Sequence, residues 1–187
     1  MTVKISVYIA VSLDGFIARK NGDLNWLPAG EEGGEDFGYP AFMSTIDHIV
    51  MGRNTFEKVL TFGAWPYYKK VSVLTSRELT LPAGLADKVE VLHLSPRELV
   101  EEMERRGVNH IYLDGGVTIQ RFLCESLVDE MTITTIPVLL GDGLPLFGKL
   151  ERDVKMLLLK SQSFKNGFVQ NKYKIRENRS GTHRAFL

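Results

Sequence analysis

Short apolar runs separated by polar, glycine-containing segments dominate the first two thirds of the chain. Near the N-terminus, apolar residues occupy every second position, and the residues between them are also mostly uncharged. This pattern indicates a strand covered on both faces, with Val3, Ile5, Val7, Ile9 and Val11 on one of them. Further apolar runs predict strands over residues 49–51, 71–74, 89–92, 111–113 and 128–138.

Helix signals fall between these strands. Pro40 suits the first turn of a short helix that continues through Ile46, and a second helix is predicted over residues 55–60. Ser95-Pro96-Arg97-Glu98 forms a capping box with proline at the first helical position, and Gly107 ends that helix. Strands that alternate with helices in this way build parallel sheets.

The last third of the chain has a different pattern. Two strand-like segments, residues 154–164 and 168–175, are joined by Lys165-Asn166-Gly167, which is a hairpin signal. The predicted fold class is therefore α/β, with three layers and a mainly parallel central sheet that ends in antiparallel C-terminal strands. We expect one domain over residues 1–177 and a disordered polar tail over residues 178–187.

Composition narrows the function. Lys plus Arg and Asp plus Glu both number 23, so we expect no basic surface for nucleic acid or an anionic membrane. The lone Cys124 excludes a disulfide framework and a cysteine-based zinc cluster, and its apolar neighbours predict a buried, inert thiol. The N-terminal apolar run is too short to span a membrane, so we expect a cytoplasmic protein.

The segment Asp114-Gly115-Gly116-Val117-Thr118 follows an apolar strand and opens an amphipathic helix. A strand that turns through two glycines into a helix presents backbone amides at the positive end of that helix. Such a corner can hold a phosphate, and it can equally be a site of tight packing. The segment by itself leaves both interpretations open.

Other polar motifs also lie where strands are predicted to end. They are Ser12-Leu13-Asp14-Gly15, Met51-Gly52-Arg53-Asn54-Thr55 and Thr75-Ser76-Arg77. Ligands of open α/β sheets bind beyond the carboxyl ends of the strands, so these motifs and the glycine pair should converge on one cleft.

Two of these motifs and a third segment carry a family resemblance. Met51-Gly52-Arg53-Asn54-Thr55-Phe56 resembles the signature of the dihydrofolate reductase-like superfamily. Ser12–Ala18 and the segment Pro137–Phe147, which contains Leu140-Gly141-Asp142-Gly143, resemble the reductase half of the bacterial bifunctional deaminase–reductase of riboflavin biosynthesis. The resemblance runs from Val3 to about Ile175 and extends to the stand-alone relatives of that reductase domain.

The resemblance implies that NADPH lies across the strand ends. The positions that match the cofactor site are Gly52, Arg53, Thr55, Thr75, Ser76, Arg77, Gly115, Gly116, Val117 and Thr118. Within this set, Thr75, Ser76 and Arg77 match the loop that holds the adenosine 2′-phosphate, and a guanidinium with hydroxyl donors suits that group. The alternative is that Arg53 and Arg77 are surface charges paired with nearby acids.

The resemblance also implies roles beside the nicotinamide and the substrate. Asp14 either orients one of these molecules or only hydrogen-bonds its own loop. Asp36 stands where folate reductases carry their pterin-binding carboxylate, with a solvated loop acid as the alternative. The remaining substrate-side candidates are Trp26 on a closing loop, Trp65 in an aromatic cluster, and Gly141, Asp142 and Gly143, which could equally form a structural turn.

These observations predict an NADPH-dependent reductase similar to 5-amino-6-(5-phosphoribosylamino)uracil reductase, which transfers hydride to a C=N bond of a small molecule. The chain lacks His-x-Glu and Cys-x-x-Cys, so it carries no zinc deaminase half. The alternatives are dihydrofolate reduction and a non-catalytic NADPH-binding module. Lys69 and Arg121 are suggestions for a substrate phosphate. Relatives commonly form homodimers, and we expect one here with no metal.

Overall fold

The computed structural model describes residues 2–28 and 36–176. The strands are β1 (Lys4–Ser12), β2 (Phe16–Ala18), β3 (His48–Gly52), β4 (Lys70–Leu74), β5 (Val89–Leu92), β6 (His110–Asp114), β7 (Glu130–Ile136), β8 (Leu144–Pro145), β9 (Met156–Ser163) and β10 (Val169–Ile175). The helices are α1 (Tyr39–Ser44), α2 (Arg53–Leu60), α3 (Pro96–Arg105) and α4 (Gly116–Cys124).

Eight strands form the central sheet in the order β5-β4-β3-β6-β1-β7-β10-β9. The first six of these strands are parallel, whereas β10 pairs antiparallel with both β7 and β9. The predicted fold class is confirmed. The parallel strands are buried because helices cover both faces, whereas β9 is exposed along nearly its whole length.

The sheet separates two apolar layers. On one face, Leu99 and Met103 of α3 and Phe122 of α4 pack against the strands. On the other face, Met43 of α1 and Phe56 of α2 pack with strand residues such as Met51. Parallel strands that alternate with helices thus bring all the β-to-α corners to one edge of the sheet, where a ligand site is expected.

Several boundaries differ from the predictions. The predicted strand over 128–138 is β7, Glu130–Ile136, and Pro137 directly follows it. The short strands β2 and β8 pair with each other in a segment predicted as loop, because three and two residues are too few for a periodic signal. The predicted tail, residues 178–187, lies outside the described residues.

The prediction for Cys124 is wrong. Its side chain is exposed at the last residue of α4, and Sγ lies 3.8 Å from the carbonyl oxygen of Lys149. The buried stripe of α4 passes through Ile119, Phe122 and Leu123, and the next position along the helix turns away from it. Neighbours in sequence are therefore a poor guide to burial on a helix.

Candidate functional site

The β3–α2 and β6–α4 corners lie side by side at the carboxyl edge of the sheet. β3 and β6 are adjacent parallel strands, with Met51 opposite Asp114. Gly52 and Gly115 follow these two residues and are the N-caps of α2 and α4. The sheet register thus places the starts of two helices next to each other.

Two glycine–threonine contacts lock these corners together. A Cβ atom on Gly52 would lie 2.5 Å from Thr118 Oγ1, and one on Gly115 would collide with Thr55 Oγ1. Gly115 also has φ of 91°, a conformation that side-chain-bearing residues rarely adopt. Each helix therefore supplies a threonine that fits against the glycine of the other corner.

We call a helix start open when no side chain caps it and its first turn contains no acid. The starts of α2 and α4 are both open by this definition. In α4, the amide of Gly115 donates to Asp114 Oδ1 at 2.7 Å, which leaves the amides of Gly116, Val117 and Thr118 uncapped. Val117 is 67% exposed, so the surface of this turn is accessible. Two adjacent open helix starts attract an anion.

The glycine pair itself is not an exposed surface. Gly115 is buried against Thr55, and a Cβ on Gly116 would lie 2.7 Å from Ile17 Cδ1 and 3.4 Å from the carbonyl oxygen of Pro145. The two glycines are therefore required by tight packing, because neither has room for a side chain. Any anion contact at this corner must come from the amides around Val117.

Asp114 ends β6 directly before this corner and received no chemical role from the sequence. Burial raises the pKa of its carboxyl to about 6, although the hydrogen bond from Gly115 opposes that shift. Tyr39, Tyr67 and Tyr112 lie near enough for Asp114 to raise the pKa of each hydroxyl, after the larger effect of burial. Asp114 is therefore a carboxyl group that can hold or release a proton near neutral pH.

The one sequence signal for Asp114 is an acid that ends an otherwise apolar strand, Ile111-Tyr112-Leu113. Three tyrosines from different segments lie near its carboxylate, and no sequence pattern reveals that arrangement. Perturbed carboxyl groups of this kind are concentrated at functional sites.

Asp14 connects two loops. Its carboxylate accepts hydrogen bonds from Ser12 Oγ at 2.6 Å and from the amides of Gly141 and Leu140 at 2.7 and 3.0 Å. The bond from Ser12 has the largest effect and, together with the smaller contributions of the backbone bonds, holds the pKa of Asp14 below its ordinary value against the opposing effect of desolvation. This geometry favours the structural alternative for Asp14, as an ionised group that joins the β1–β2 turn to residues 140–141.

The turn at Gly141-Asp142-Gly143 is part of the loop that Asp14 joins to the β1–β2 turn. Asp142 forms an exposed ion pair with Lys20 at 2.8 Å. Gly143 lies against β2, where a Cβ would be 3.1 Å from the ring of Phe16. The close approach to β2 explains Gly143, and a φ of 75° explains Gly141, in both cases without a ligand.

Asp36 lies elsewhere. It is exposed, its Oδ1 accepts from the amide of Gly38 at 2.8 Å, and it lines a surface cavity of about 520 Å³ with Lys160 and Gln170 of the antiparallel strands. This position favours the solvated loop acid over the pterin-binding role.

Trp26 and Trp65 each have a buried indole N–H without a hydrogen-bond partner within residues 2–28 and 36–176. Trp65 packs edge-on against Phe56 and Tyr67, at centroid distances of 5.8 and 5.4 Å. The loop before Trp26 is held to α2 by the ion pair between Asp23 and Lys58, at 3.2 Å. Buried donors without partners are uncommon in native structures.

The side chains proposed to contact phosphate groups differ in the partners that they have in this structure. Arg53 donates from Nε to Glu57 Oε1 at 2.6 Å, one turn further along α2. Ser76 and Arg77 are exposed, and the Thr75 hydroxyl is occupied within its turn, where it accepts from the amide of Arg77 and donates to the Arg77 carbonyl, both at 3.0 Å. Lys69 lies over the Tyr68 ring, and Arg121 lies in the last turn of α4, away from its open start.

Comparison with known proteins assigns the chain to a family. Residues 3–170 match the model of the RibD C-terminal domain. The chain belongs to the RibD C-terminal domain family. YwjB of Bacillus subtilis, an uncharacterized protein, is 36% identical over 168 residues, which are 88% of this chain and 94% of YwjB. A second uncharacterized protein of that organism, YyaP, is 28% identical over 91% of this chain and 94% of its own length.

Solved structures agree with this family. A putative riboflavin biosynthesis protein from Shewanella sp. PV-4 is 42% identical and superimposes with a TM-score of 0.86, over 94% of this chain and 99% of that one. The deaminase/reductase of Thermotoga maritima has the same fold, with a TM-score of 0.71 at 16% identity. This chain covers only 57% of the Thermotoga protein, so it corresponds to part of that enzyme. The reductase-like fold and its relation to riboflavin biosynthesis proteins are thereby shown.

Proposed function

We propose that this chain is an NADPH-dependent reductase that transfers hydride to a C=N bond of a pyrimidine-containing substrate. The reaction would be similar to that of 5-amino-6-(5-phosphoribosylamino)uracil reductase. This chain belongs to the RibD C-terminal domain family, and one observation supports the proposal above all. The two open helix starts of α2 and α4 lie beside the carboxyl group of Asp114, whose pKa is raised by burial.

The residues of the two corners fit a dinucleotide pyrophosphate. The amides of Gly116, Val117 and Thr118 would bind it from α4, and the first amides of α2 would bind it from the other side. Arg53 would join them after release from Glu57. Ser76 and Arg77 would hold the 2′-phosphate, because both are exposed at the end of the neighbouring strand β4.

NADPH supplies the hydride when it is bound. The substrate imine then needs a proton on nitrogen as its carbon receives the hydride, so that C=N becomes CH–NH. Asp114 is our candidate proton donor because burial keeps a part of its carboxyl population protonated near neutral pH. The rings of Trp65 and Tyr67 pack against each other and would exclude water and hold the heterocycle of the substrate.

Asp114→Asn tests this role. Asparagine can keep the acceptor for the Gly115 amide but cannot supply the proton, so we expect kcat to fall roughly 100-fold with an unchanged Kd for NADPH. In the unmodified protein, a proton donor of pKa about 6 makes kcat fall as the pH rises above 6, and the variant should lose that slope. A variant with an unchanged rate and pH profile would contradict the assignment.

Turnover separates the three candidate functions. NADPH oxidation is measured with the deaminated pyrimidine substrate and with dihydrofolate in parallel. Oxidation with the pyrimidine alone supports the proposal, and oxidation with dihydrofolate alone supports folate reduction. NADPH binding without oxidation by either substrate supports a non-catalytic module.

We also propose that the protein is a cytoplasmic homodimer that binds neither nucleic acid nor membranes. In the described part of the chain, every helix is too short or too polar to cross a bilayer. The edge strand β9 exposes Leu157, Leu158 and Leu159 at 43, 52 and 46%. Consecutive exposed leucines on an edge strand favour pairing with a second copy. The mass in solution, measured by light scattering with and without Leu158→Lys, tests this surface.

A further inference from the structure

We propose that His93 belongs to the site that recognises the 2′-phosphate of NADPH, and that His93 must be protonated to take part. The inference rests on the proposed function, because it assigns a residue to the NADPH site. Neither the motifs nor the resemblance gave this histidine a role. Its position and its hydrogen bond carry the inference.

The sheet register brings His93 beside the predicted 2′-phosphate loop. β4 and β5 are adjacent parallel strands with Leu74 opposite Leu92, so Thr75 and His93 are the next residues on the two strands. The pairing continues past the ends of the strands, since the amide of Thr75 donates to the carbonyl of Leu92 at 3.1 Å. Thr75 begins the turn that also contains Ser76 and Arg77.

A hydrogen bond sets the state of the imidazole ring. His93 Nδ1 lies 2.7 Å from the carbonyl oxygen of Thr75. A carbonyl only accepts, so Nδ1 carries the proton. The neutral ring then has a lone pair on Nε2, and Nε2 becomes a donor only when the ring is protonated. The side chain is exposed, so Nε2 is free to meet a ligand.

The rest of the turn needs another donor. The Thr75 hydroxyl is already occupied by the backbone of Arg77, which leaves the Ser76 hydroxyl and the Arg77 guanidinium for a phosphate. Phosphate oxygens accept several hydrogen bonds, and charged donors bind them most strongly. A protonated His93 would supply a further charged donor from the adjacent strand.

Charged residues follow Thr75 and His93 closely in sequence on two segments. Arg77 and Glu78 follow β4, and Arg97 and Glu98 lie in the first turn of α3. The Glu98 carboxylate accepts from the amide of Ser95 at 2.8 Å, and Arg97 pairs with Glu125 at 3.0 Å. These two groups of α3 are thus engaged with partners of their own, while Arg77 and Glu78 share the turn with the proposed phosphate.

The chemistry links phosphate binding to proton uptake. A neutral His93 presents a lone pair to a 2′-phosphate, which is unfavourable, but it can accept a hydrogen bond from the 2′-hydroxyl of NADH. The preference for NADPH over NADH should therefore be larger at low pH than at high pH, because only the protonated ring can donate from Nε2.

The test compares Kd values for NADPH and NADH between pH 5.5 and 8.5 at constant ionic strength. It uses the unmodified protein, His93→Gln and His110→Gln. Glutamine can donate to the Thr75 carbonyl but cannot become charged. His110 is the matched control: its Nδ1 also lies 3.0 Å from a backbone carbonyl, that of Thr45, but it begins β6 at the opposite edge of the sheet.

The 2′-phosphate itself has a pKa of about 6, as phosphate monoesters do, so the comparison between variants is essential. We expect the NADPH preference of the unmodified protein and of His110→Gln to rise about tenfold, relative to His93→Gln, from pH 8 to pH 6. A ¹H–¹³C spectrum of the histidine rings should show the His93 midpoint move to higher pH with NADPH and not with NADH.

Each other outcome has a definite meaning. An equal pH dependence of the preference in the unmodified protein and His93→Gln overturns the role of His93 and leaves the proposed function intact. A His93 effect that is the same for NADPH and NADH would place the ring on the adenine and also overturns the inference. Failure of the unmodified protein to bind either dinucleotide overturns the proposed function itself.

Discussion

The β5–α3 and β6–α4 corners have similar topology and opposite chemistry. Each leads from a parallel strand into a helix on the same face of the sheet. At the first corner, Ser95 Oγ accepts from the amide of Glu98, and the Glu98 carboxylate accepts from the amide of Ser95. At the second corner, a glycine without a side chain precedes the helix, and its first turn contains no acid.

The acids at the two corners differ in the same way. Hydrogen bonds from Ser95 hold the pKa of Glu98 below its ordinary value, whereas burial raises the pKa of Asp114 to about 6. The first corner uses the polar groups of its helix start, Ser95 and Glu98, to stabilise the fold. The helix start of the second corner has no side-chain cap, and such departures from the local rules for stability are expected at functional sites.

Val117→Glu should produce the largest effect. A carboxylate in the first turn of α4 acts on the helix as Glu98 does on α3, so the free energy of unfolding should rise by about 0.5 kcal/mol. The same charge would repel the proposed pyrophosphate, and NADPH affinity should fall roughly 100-fold. Isothermal titration and chemical denaturation measure the two quantities. Val117→Gln is the uncharged control, and equal affinities of the two variants would refute the anion site at α4.

Gly115→Ala should have an effect of similar size, this time on stability. The added methyl group meets Thr55, and the residue must also keep φ of 91°. We expect a loss of about 3 kcal/mol in the free energy of unfolding. Gly107→Ala is the control, since Gly107 has φ of 73° but open space around it, and it should lose only about 1 kcal/mol. Similar losses would mean that the contact with Thr55 does not lock the corners together.

Ser95→Ala should have the smallest effect. Removal of the cap leaves the Glu98 amide without its partner and should lower the free energy of unfolding by about 1 kcal/mol. The Kd for NADPH should not change, because the Ser95 hydroxyl is engaged with the amide of Glu98 and is not among the groups proposed to contact the cofactor. A change in affinity of more than a few-fold would contradict the division of roles between the two corners.

The sequence was sufficient to predict the β5–α3 corner, because its capping groups are close together in the chain. The capping box at Ser95 and Glu98 follows from residue types at fixed spacing, and so does the order of strands and helices. The Gly115 corner was found as a motif, but its two interpretations could not be separated. Its packing depends on Thr55, which lies 60 positions earlier and reaches Gly115 only through the pairing of β3 with β6.

The roles of Asp114 and His93 were missed for the same reason, which is that they depend on contacts between segments distant in sequence. Asp114 is perturbed by burial among tyrosines from three segments, and His93 meets Thr75 because β4 and β5 pair in register. For Asp14, two alternatives remained open because Gly141 lies 127 positions away from it. Periodicity reveals which residues form a strand, whereas it does not reveal which side chains meet at the end of one.

The central claim is that the open starts of α2 and α4 hold an anionic bridge that the capped start of α3 cannot hold. A ¹H–¹⁵N spectrum recorded during titration with NADPH tests it most directly. We predict that the amides of Gly116, Val117, Thr118 and Asn54 shift most, while those of Arg97 and Glu98 keep their positions. Shifts that spare Val117 and its neighbours, or that are as large at α3, would contradict the account.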